Sequence, residues 1–352
     1  MKNYGKLDLL LHRVALGSIT MRRIAFDMDC LLFSDAGTNS KRPRAPVYIT
    51  GLARSGTTVL LEALYASRAF ATLTYRNMPF VTAPRLWSKI TSNLRRTGQL
   101  HERAHGDRLH IGFDSPEAFE EPFWIMLTDG KFIRANGLDA HDIEFDGLAD
   151  YRRYVANILV ASKIPNARYL AKNNNNVLRI NSLRRAFPDA CILVPFRNPW
   201  DHAQSLFKQH RRFCAIHAQD PITLSYMNWL GHFEFGANFK PFNVDPDAQP
   251  GYEEEAKSPD YWLRYWTCVY RYLLNTYEKD VVFFDYDRFC REPLRTLERL
   301  AETVDLEPAQ LTVFAEDLQE PSVYSRDEGA GKVASDAADL YAALQMKSLQ
   351  AV

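Results

Sequence analysis

The most constraining feature of this 352-residue sequence is a strand, a tight loop and a helix that follow one another over residues 46–67. A proline precedes the β-branched and aromatic run Val47–Thr50, a pattern that predicts a short buried strand. Gly51 and Gly56 allow the loop to turn sharply, and apolar residues at helical spacing from Val59 onward predict a helix. Unpaired N–H groups and the helix dipole at such a junction favour a bound phosphate or sulfate.

The residue that supplies the positive charge of this loop distinguishes an ATP or GTP site from other anion sites. The spacing of Gly51 and Gly56 matches a nucleotide P-loop, but Thr57 stands where the lysine of an ATP or GTP site should follow. Arg54, inside the loop, supplies the charge instead. Such a loop suits a single phosphate that carries one transferable sulfuryl group. The plain alternative is a glycine turn that holds no ligand.

The run Arg54-Ser-Gly-Thr-Thr58 after a strand resembles the phosphosulfate loop of the sulfotransferase family. A second match is Arg197 at the end of the apolar run Ala190–Phe196, with Ser205 eight residues further on, on a predicted helix. A guanidinium can bind a phosphate through two parallel hydrogen bonds, and a hydroxyl adds one donor. The alternative for Arg197 is a surface ion pair with Asp201.

The resemblance spans residues 46–306 and implies both a fold and a reaction. It implies a parallel sheet with helices on both faces, and transfer of a sulfuryl group from 3′-phosphoadenosine 5′-phosphosulfate (PAPS) to a hydroxyl or an amine. The loop would hold the 5′-phosphosulfate through Arg54, Ser55, Gly56, Thr57 and Thr58. Arg197 and Ser205 would hold the 3′-phosphate. A loop with this arginine is similar to that of bacterial and tyrosylprotein-type members.

The resemblance does not supply the base that accepts the acceptor's proton. Members of that type often place a catalytic glutamate just after the strand that follows the loop helix, and here the stretch Thr72–Arg76 has no carboxylate. His105 is the first candidate, because Asp107 could orient it within a His-Gly-Asp turn. Lys172, at a predicted strand end, is expected to stabilise the leaving group.

Glu120 and Glu121 are the second candidates for the base. Ser115 and Pro116 predict the start of a helix, with Ser115 as its N-cap. Glu117, Glu120 and Glu121 would then share one face of that helix. Three clustered carboxylates repel one another, which favours a catalytic acid or a clamp on an acceptor hydroxyl. The alternative is that they complement the helix dipole.

Alternating strand and helix patterns predict a P-loop-like three-layer α/β/α fold with a central parallel sheet and a helical and loop cap. The α/β domain is expected over residues 46–320, with the cap inserted at about 214–260. Residues 1–45 are expected to form a helical extension and a connector. Residues 321–352 are expected to form a tail that could close over the nucleotide.

Composition limits the partners of the chain. It has 43 basic and 43 acidic residues, so neither nucleic acid nor an anionic membrane is indicated as a partner. Five cysteines without a C-x-x-C pair fit a reducing compartment and no structural metal. Asp8, His12 and Arg13 interrupt the apolar N-terminal stretch, and no run reaches the ~20 apolar residues of a membrane span. A soluble, cytoplasmic protein is therefore expected.

Together these features predict a PAPS-dependent sulfotransferase that acts on a small-molecule or glycan acceptor, such as a saccharide or a glycolipid. Two alternatives stay open. A P-loop nucleoside kinase or NTPase would use Asp285 or Asp287 to bind magnesium, although the missing lysine argues against it. A non-catalytic scaffold with a degenerate loop would bind no nucleotide.

Overall fold

A parallel sheet of five strands lies at the centre of the chain. The structure, a computed structural model, describes residues 6–33, 44–92, 101–102, 110–111, 115–244, 255–318 and 332–351. Its strands are β1 Val47–Ile49, β2 Phe70–Ala71, β3 His101–Glu102, β4 His110–Ile111, β5 Leu138–Asp139, β6 Arg168–Lys172, β7 Cys191–Phe196, β8 Phe242–Asn243 and β9 Val282–Asp285. The central sheet has the order β2-β6-β1-β7-β9, and its neighbouring strands are parallel. Two short pairs, β3 with β4 and β5 with β8, lie outside it.

The central strand β1 is buried on both faces, as its apolar composition predicts. Val47 and Ile49 contribute to one hydrophobic core together with Leu60 of the helix after the loop, whereas Tyr48 contributes to a second core. Because side chains alternate along a strand, two cores require helices on both faces of the sheet. The structure therefore confirms the predicted three-layer α/β/α fold.

The helices form the two outer layers. They are α1 Lys6–Leu16, α2 Ile19–Leu32, α3 Thr57–Ala66, α4 Pro84–Thr91, α5 Glu121–Leu127, α6 Phe145–Ser162, α7 Ile180–Ala186, α8 Pro199–Gln219, α9 Pro221–Leu230, α10 Pro259–Tyr277, α11 Tyr286–Arg291, α12 Pro293–Thr303, α13 Ala309–Thr312 and α14 Lys332–Met346. Helices α3, α12 and α13 pack into one core, and α6, α7 and α10 pack into the other. Within the described residues, no helix combines the length and the apolar character that a membrane crossing needs.

The strand order reverses at β1, which lies between β6 and β7. From β1 the chain runs to the β2 edge, returns through β6, and then crosses to the β7 side. In open parallel sheets, ligands bind in the crevice at the carboxyl ends of the strands where the order reverses. Thr50, Lys172 and Arg197 lie at the carboxyl ends of β1, β6 and β7. The topology therefore brings these three parts of the sequence to one crevice.

The prediction that a helix begins at Ser115 is wrong. The carbonyl of Ser115 accepts the N–H of Tyr75 (3.3 Å), and the N–H of Glu117 donates to the carbonyl of Leu73 (3.2 Å). This pairing with the segment after β2 holds residues 115–117 out of a helix, so that α5 begins only at Glu121. The three glutamates consequently do not share one helical face.

The cap expected at about residues 214–260 would include the last turns of helix α8 and the whole of helix α9. Helix α8 continues to Gln219, so the expected cap boundary at about residue 214 lies inside a helix. Helix α9 and the segment up to Val244 follow, while residues 245–254 of the cap lie outside the described part of the chain. Over residues 7–33 the two helices α1 and α2 form, as the pattern predicted. The domain limits at residues 45 and 320 stay a prediction.

After α14, the chain attaches to the edge strand β9. The N–H of Leu349 donates to the carbonyl of Phe283 (2.8 Å). The side chain of Gln350 accepts the N–H of Asp285 (3.0 Å) and donates to its carbonyl (3.1 Å). Residues 348–350 are therefore bonded along β9 up to its carboxyl end.

Candidate active site

Three residues of the loop after β1 have a positive φ. Gly51 has φ +136°, Arg54 has φ +70° and Gly56 has φ +98°. A Cβ atom on Gly56 would lie 2.1 Å from the ring of Tyr286, so a larger residue would collide with that ring as well as strain the backbone. The glycine spacing seen in the sequence thus reflects a real steric requirement.

The loop presents the N-terminus of α3. The helix begins at Thr57 with Gly56 at its N-cap position, and a glycine has no side chain that could cap the first N–H groups. By helix geometry the first amides, including those of Thr57 and Thr58, have no acceptor within the helix. Ser55 is buried, and its hydroxyl donates to the carbonyl of Leu52 (2.8 Å), which fixes the turn. The arrangement suits an anion at the helix end.

The structure brings Arg197 and Ser205 to this loop. The Nε of Arg54 donates to the hydroxyl of Ser205 (3.3 Å), and Arg197 donates to the carbonyl of Arg54 (3.3 Å). Ser205 lies two turns into α8, and the side chain of Asn198 caps that helix by accepting the N–H groups of its first turn. Two guanidinium groups, one hydroxyl and a helix N-terminus therefore meet in one place.

Asp287, on the helix α11 that follows β9, holds Arg197 in position. Its carboxylate lies 3.6 Å from the Nε of Arg197 and accepts the N–H of Asn198 (2.5 Å). The hydroxyl of Tyr341, on α14, donates to the same carboxylate (3.2 Å). Arg197 is thereby linked to a helix that follows it by more than a hundred residues in the chain.

The buried His202, on helix α8, contacts the loop. Its Nε2 lies 2.8 Å from the carbonyl of Ala53. Burial lowers the pKa of His202 to about 3, and the nearby positive charges of Arg197 and Arg54 lower it as well. The imidazole is therefore neutral at pH 7 and donates its Nε2 proton to the loop carbonyl.

A second polar cluster lies at the carboxyl end of β6. Thr50 donates to the carbonyl of Asn174 (3.1 Å), and the side-chain amide of Asn174 donates to Glu234 (2.9 Å). The Nδ1 of His232 lies 3.6 Å from the same carboxylate oxygen. Burial by itself would raise the pKa of Glu234, but His232 and Lys172 lower it to about 2. An ammonium, a carboxylate and an imidazole thus lie together beside the loop.

The loop and this cluster meet at one small void, which has room for about a single water molecule. Leu52 and Ala53 of the loop line it together with Asn175 and Glu234. Lys172 is where the sequence placed it, at the end of a strand next to a polar turn. His232 and Glu234 were missed, because they lie in the segment assigned to the cap. The one available signal was their spacing of two residues, which puts both side chains on one side of an extended segment.

Glu120 is enclosed in the core. The hydroxyls of Tyr151 and Tyr169 each donate to its Oε1 at 2.7 Å, and the indole N–H of Trp124 donates to its Oε2 at 3.0 Å. The hydroxyl of Tyr48 on the central strand lies 3.0 Å from that of Tyr151, which accepts its proton because its own proton goes to Glu120. Glu120 therefore joins α5, α6, β1 and β6 through hydrogen bonds.

Glu121 forms a buried ion pair. Its Oε1 lies 2.8 Å from a guanidinium nitrogen of Arg179, and both side chains are almost inaccessible to solvent. Its Oε2 accepts the side-chain amide of Asn173 (2.6 Å), next to Lys172. Glu121 thus supports the turn that carries the second cluster. His105, the first candidate for the base, lies outside the described residues, as does Asp107.

Comparison with known proteins agrees with the geometry. A family model described as "Sulfotransferase family" matches residues 46–234, more than half of the chain, and this range contains the loop, Arg197 and Ser205. No curated protein matches the chain.

Two solved structures are similar in fold. Sulfotransferase STF9 from Mycobacterium avium has a TM-score of 0.52 at 14% identity, over 96% of this chain and 84% of that chain. Sulfotransferase STF1 from Mycobacterium tuberculosis H37Rv has a TM-score of 0.48 at 15% identity, over 88% of this chain and 80% of that chain. At such identities the likeness to STF9 concerns the fold alone.

Proposed function

The chain belongs to the sulfotransferase family, and we propose that it transfers the sulfuryl group of PAPS to a hydroxyl or an amine of a small-molecule or glycan acceptor. The observation that carries this proposal is the contact of Arg54 with Ser205 and of Arg197 with the loop, beside the N-terminus of α3. Those residues offer several hydrogen-bond donors and two positive charges to a doubly phosphorylated nucleotide.

On the donor side, the loop residues Arg54, Ser55, Gly56, Thr57 and Thr58 would bind the 5′-phosphosulfate. Sulfuryl transfer, like phosphoryl transfer, passes through a loose in-line transition state in which positioning and electrostatic stabilisation dominate. Negative charge grows on the oxygen that links the sulfuryl group to the 5′-phosphate. The N–H groups at the start of α3, the Arg54 guanidinium and the Lys172 ammonium are the groups that would stabilise it.

The 3′-phosphate would bind between Arg197 and Ser205. Asp287 lies 3.6 Å from Arg197 and would keep its guanidinium in place rather than contact the nucleotide. The same contact weakens the kinase alternative. Asp287 lies against Arg197 and the N–H of Asn198, and Asp285 caps α11 by accepting the N–H of Arg288 (3.0 Å). Both carboxylates thus have structural partners, and membership of the sulfotransferase family does not favour a kinase.

On the acceptor side, His232 is the group we assign as the base. The acceptor oxygen would attack sulfur, the bond between sulfur and the 5′-phosphate oxygen would break, and the acceptor's proton would pass to His232. Glu234 would stabilise the imidazolium that forms, because its carboxylate is 3.6 Å away and stays ionised. Glu120 and Glu121 would position the surrounding elements, since core residues hold their carboxylates. His105 stays a second candidate for the base.

Calorimetric titration with 3′-phosphoadenosine 5′-phosphate (PAP) tests the donor site. We expect the chain to bind PAP, and Arg197→Ala to weaken binding by roughly 100-fold, the effect of losing charge-assisted hydrogen bonds to one phosphate. The control is Arg134→Ala, since Arg134 is exposed and pairs with Asp139. Binding of ATP–magnesium without binding of PAP would instead support the kinase, and binding of neither would support a scaffold.

A further inference from the structure

The hairpin formed by α1 and α2 carries charged residues inside and apolar residues outside. On its inner face, Arg22 is buried and donates to the carbonyls of Leu16 and Trp229, the latter at 2.7 Å. Asp29 is also buried and accepts the N–H of Leu86 (2.5 Å). These bonds, with the ring of Phe26 packed against α5, fix the hairpin to the rest of the molecule.

The outer face of the hairpin is apolar. Of the fifteen large apolar side chains exposed in the described part of the chain, eight lie within residues 10–32. On α2 they follow the spacing i, i+3, i+7 and i+10, which is the stripe that packs against another helix. The four are Met21, Ile24, Met28 and Leu31, exposed by 41%, 45%, 47% and 76%. Leu10 and Val14 of α1, the helix packed against α2, are exposed as well.

The size of this hairpin face matches an interface rather than an ordinary surface patch. The eight side chains together expose on the order of 700 Å², whereas the largest apolar patch of a typical monomer is about 300–600 Å². A stable interface buries about 800 Å² on each partner, part of it a polar rim. The hairpin face can supply that area.

We propose that two copies of this chain associate through the hairpin face, around a two-fold axis near Ile24. Arg13 of α1 and Asp27 of α2 are exposed and opposite in sign, and Asp8 of α1 is half-buried. In a two-fold arrangement, Arg13 of each copy is set against Asp27 of the other. A two-fold contact of this kind requires such self-complementarity.

The mixed charge argues against the other common occupant of an apolar helix face. Helices that bind an anionic membrane surface carry lysine and arginine on their polar side. Here Arg13 is balanced by Asp27, and the neighbouring Arg23 pairs with Asp150 at 2.9 Å. The balance of charge suits a second copy of the same chain.

Sedimentation analysis of the full chain over a range of concentrations tests the proposal. We expect a dimer for the unchanged chain and at least a ~100-fold weaker association for Ile24→Glu, because the two copies would bury two carboxylates next to each other. The matched control is Val313→Glu, which changes an equally apolar side chain, exposed by 76%, on another part of the surface. It should leave the dimer intact, and circular dichroism should show both variants folded.

Charge reversal tests the orientation of the two copies. Arg13→Glu and Asp27→Arg should each weaken the dimer by roughly 3- to 10-fold, and the double variant should restore it. A monomer at every concentration, or a dimer that Ile24→Glu does not weaken, would overturn the proposal. So would a monomer that binds phosphatidylcholine–phosphatidylglycerol vesicles through this face. PAP binding does not enter the test, so its result is independent of the proposed sulfotransferase activity.

Discussion

The donor side and the acceptor side of the candidate site are built in different ways. On the donor side, Arg197 and His202 contact main-chain carbonyls of the loop, those of Arg54 and Ala53. On the acceptor side, side chains hold side chains, as Asn174 holds Glu234. Main-chain contacts keep their geometry when neighbouring residues change, whereas contacts between side chains depend on each partner. The loop contacts of Arg197 and His202 therefore depend less on neighbouring side chains than the contacts of Glu234 do.

The largest expected effect is on turnover, and it distinguishes the acceptor side from the donor side. His232→Ala should lower turnover of PAPS by about 10²- to 10⁴-fold, the usual contribution of a general base, and leave the affinity for PAP within twofold. PAPS turnover with water as the acceptor gives the rate, and calorimetry gives the affinity.

Added imidazole supplies the control for this first prediction. It should restore part of the activity of His232→Ala, which it could not do if His232 only supported the fold. Unchanged turnover in His232→Ala would return the role of the base to His105.

The next effect concerns stability on the acceptor side. Glu121→Gln should lower the free energy of unfolding by about 3 kcal/mol, because it leaves the buried guanidinium of Arg179 without a compensating charge. Urea denaturation measures the change, and Glu302→Gln, at an exposed position of α12, is the control. The variant should bind PAP as the unchanged chain does. A full loss of PAP binding at a temperature where the variant is folded would show that the two sides are coupled.

A third prediction concerns the pH dependence of stability on the donor side. The pKa of His202 is about 3 in the folded chain and ordinarily ~6.5 in an unfolded one. As pH falls below about 6.5, the unfolded chain binds a proton that folded His202 does not, so stability decreases with a slope approaching ~1.4 kcal/mol per pH unit.

His202→Gln should remove that slope between about pH 6 and 4.5, while its amide can still donate to Ala53. His141, whose pKa burial also lowers to about 3, should keep its own contribution in both proteins. Equal slopes for the variant and the unchanged chain, from urea denaturation at each pH, would contradict a neutral, buried His202.

The smallest effect tests the brace behind Arg197. Tyr341→Phe keeps the ring that packs near Phe196 and removes the hydroxyl that donates to Asp287. One hydrogen bond of this kind is worth about 1 kcal/mol, so the affinity for PAP should fall about fivefold. Tyr272→Phe, which alters a contact with Tyr277, serves as the control. If the affinity does not change, Asp287 holds Arg197 without help from α14.

What the sequence predicted well lies in continuous segments. The strand, the glycine turn and the helix at residues 46–67 form together because each is specified locally, and the apolar run Ala190–Phe196 correctly indicated the buried strand β7. The family resemblance implied that Arg54, Arg197 and Ser205 bind one nucleotide, and they do lie together, because parallel strands end at one edge of the sheet.

What the sequence could not predict depends on contacts between distant segments. The first turn expected at Ser115 is lost because residues 73–75 pair with it, and no local pattern announces that pairing. A carboxylate in the sequence also does not reveal its neighbours: Glu120 meets two tyrosine hydroxyls, whereas Glu234 meets His232 and Lys172. Burial and partners decide the chemistry of such groups.

The attachment of residues 348–350 to β9 has a consequence for the order in which the protein matures. During synthesis Arg54 leaves the ribosome long before Tyr341 and Gln350 do, yet those late residues hold the strand and the carboxylate that brace Arg197. A nascent chain can therefore form the loop after β1 early, but Asp287 and β9 acquire all their partners only when α14 and the residues after it have docked.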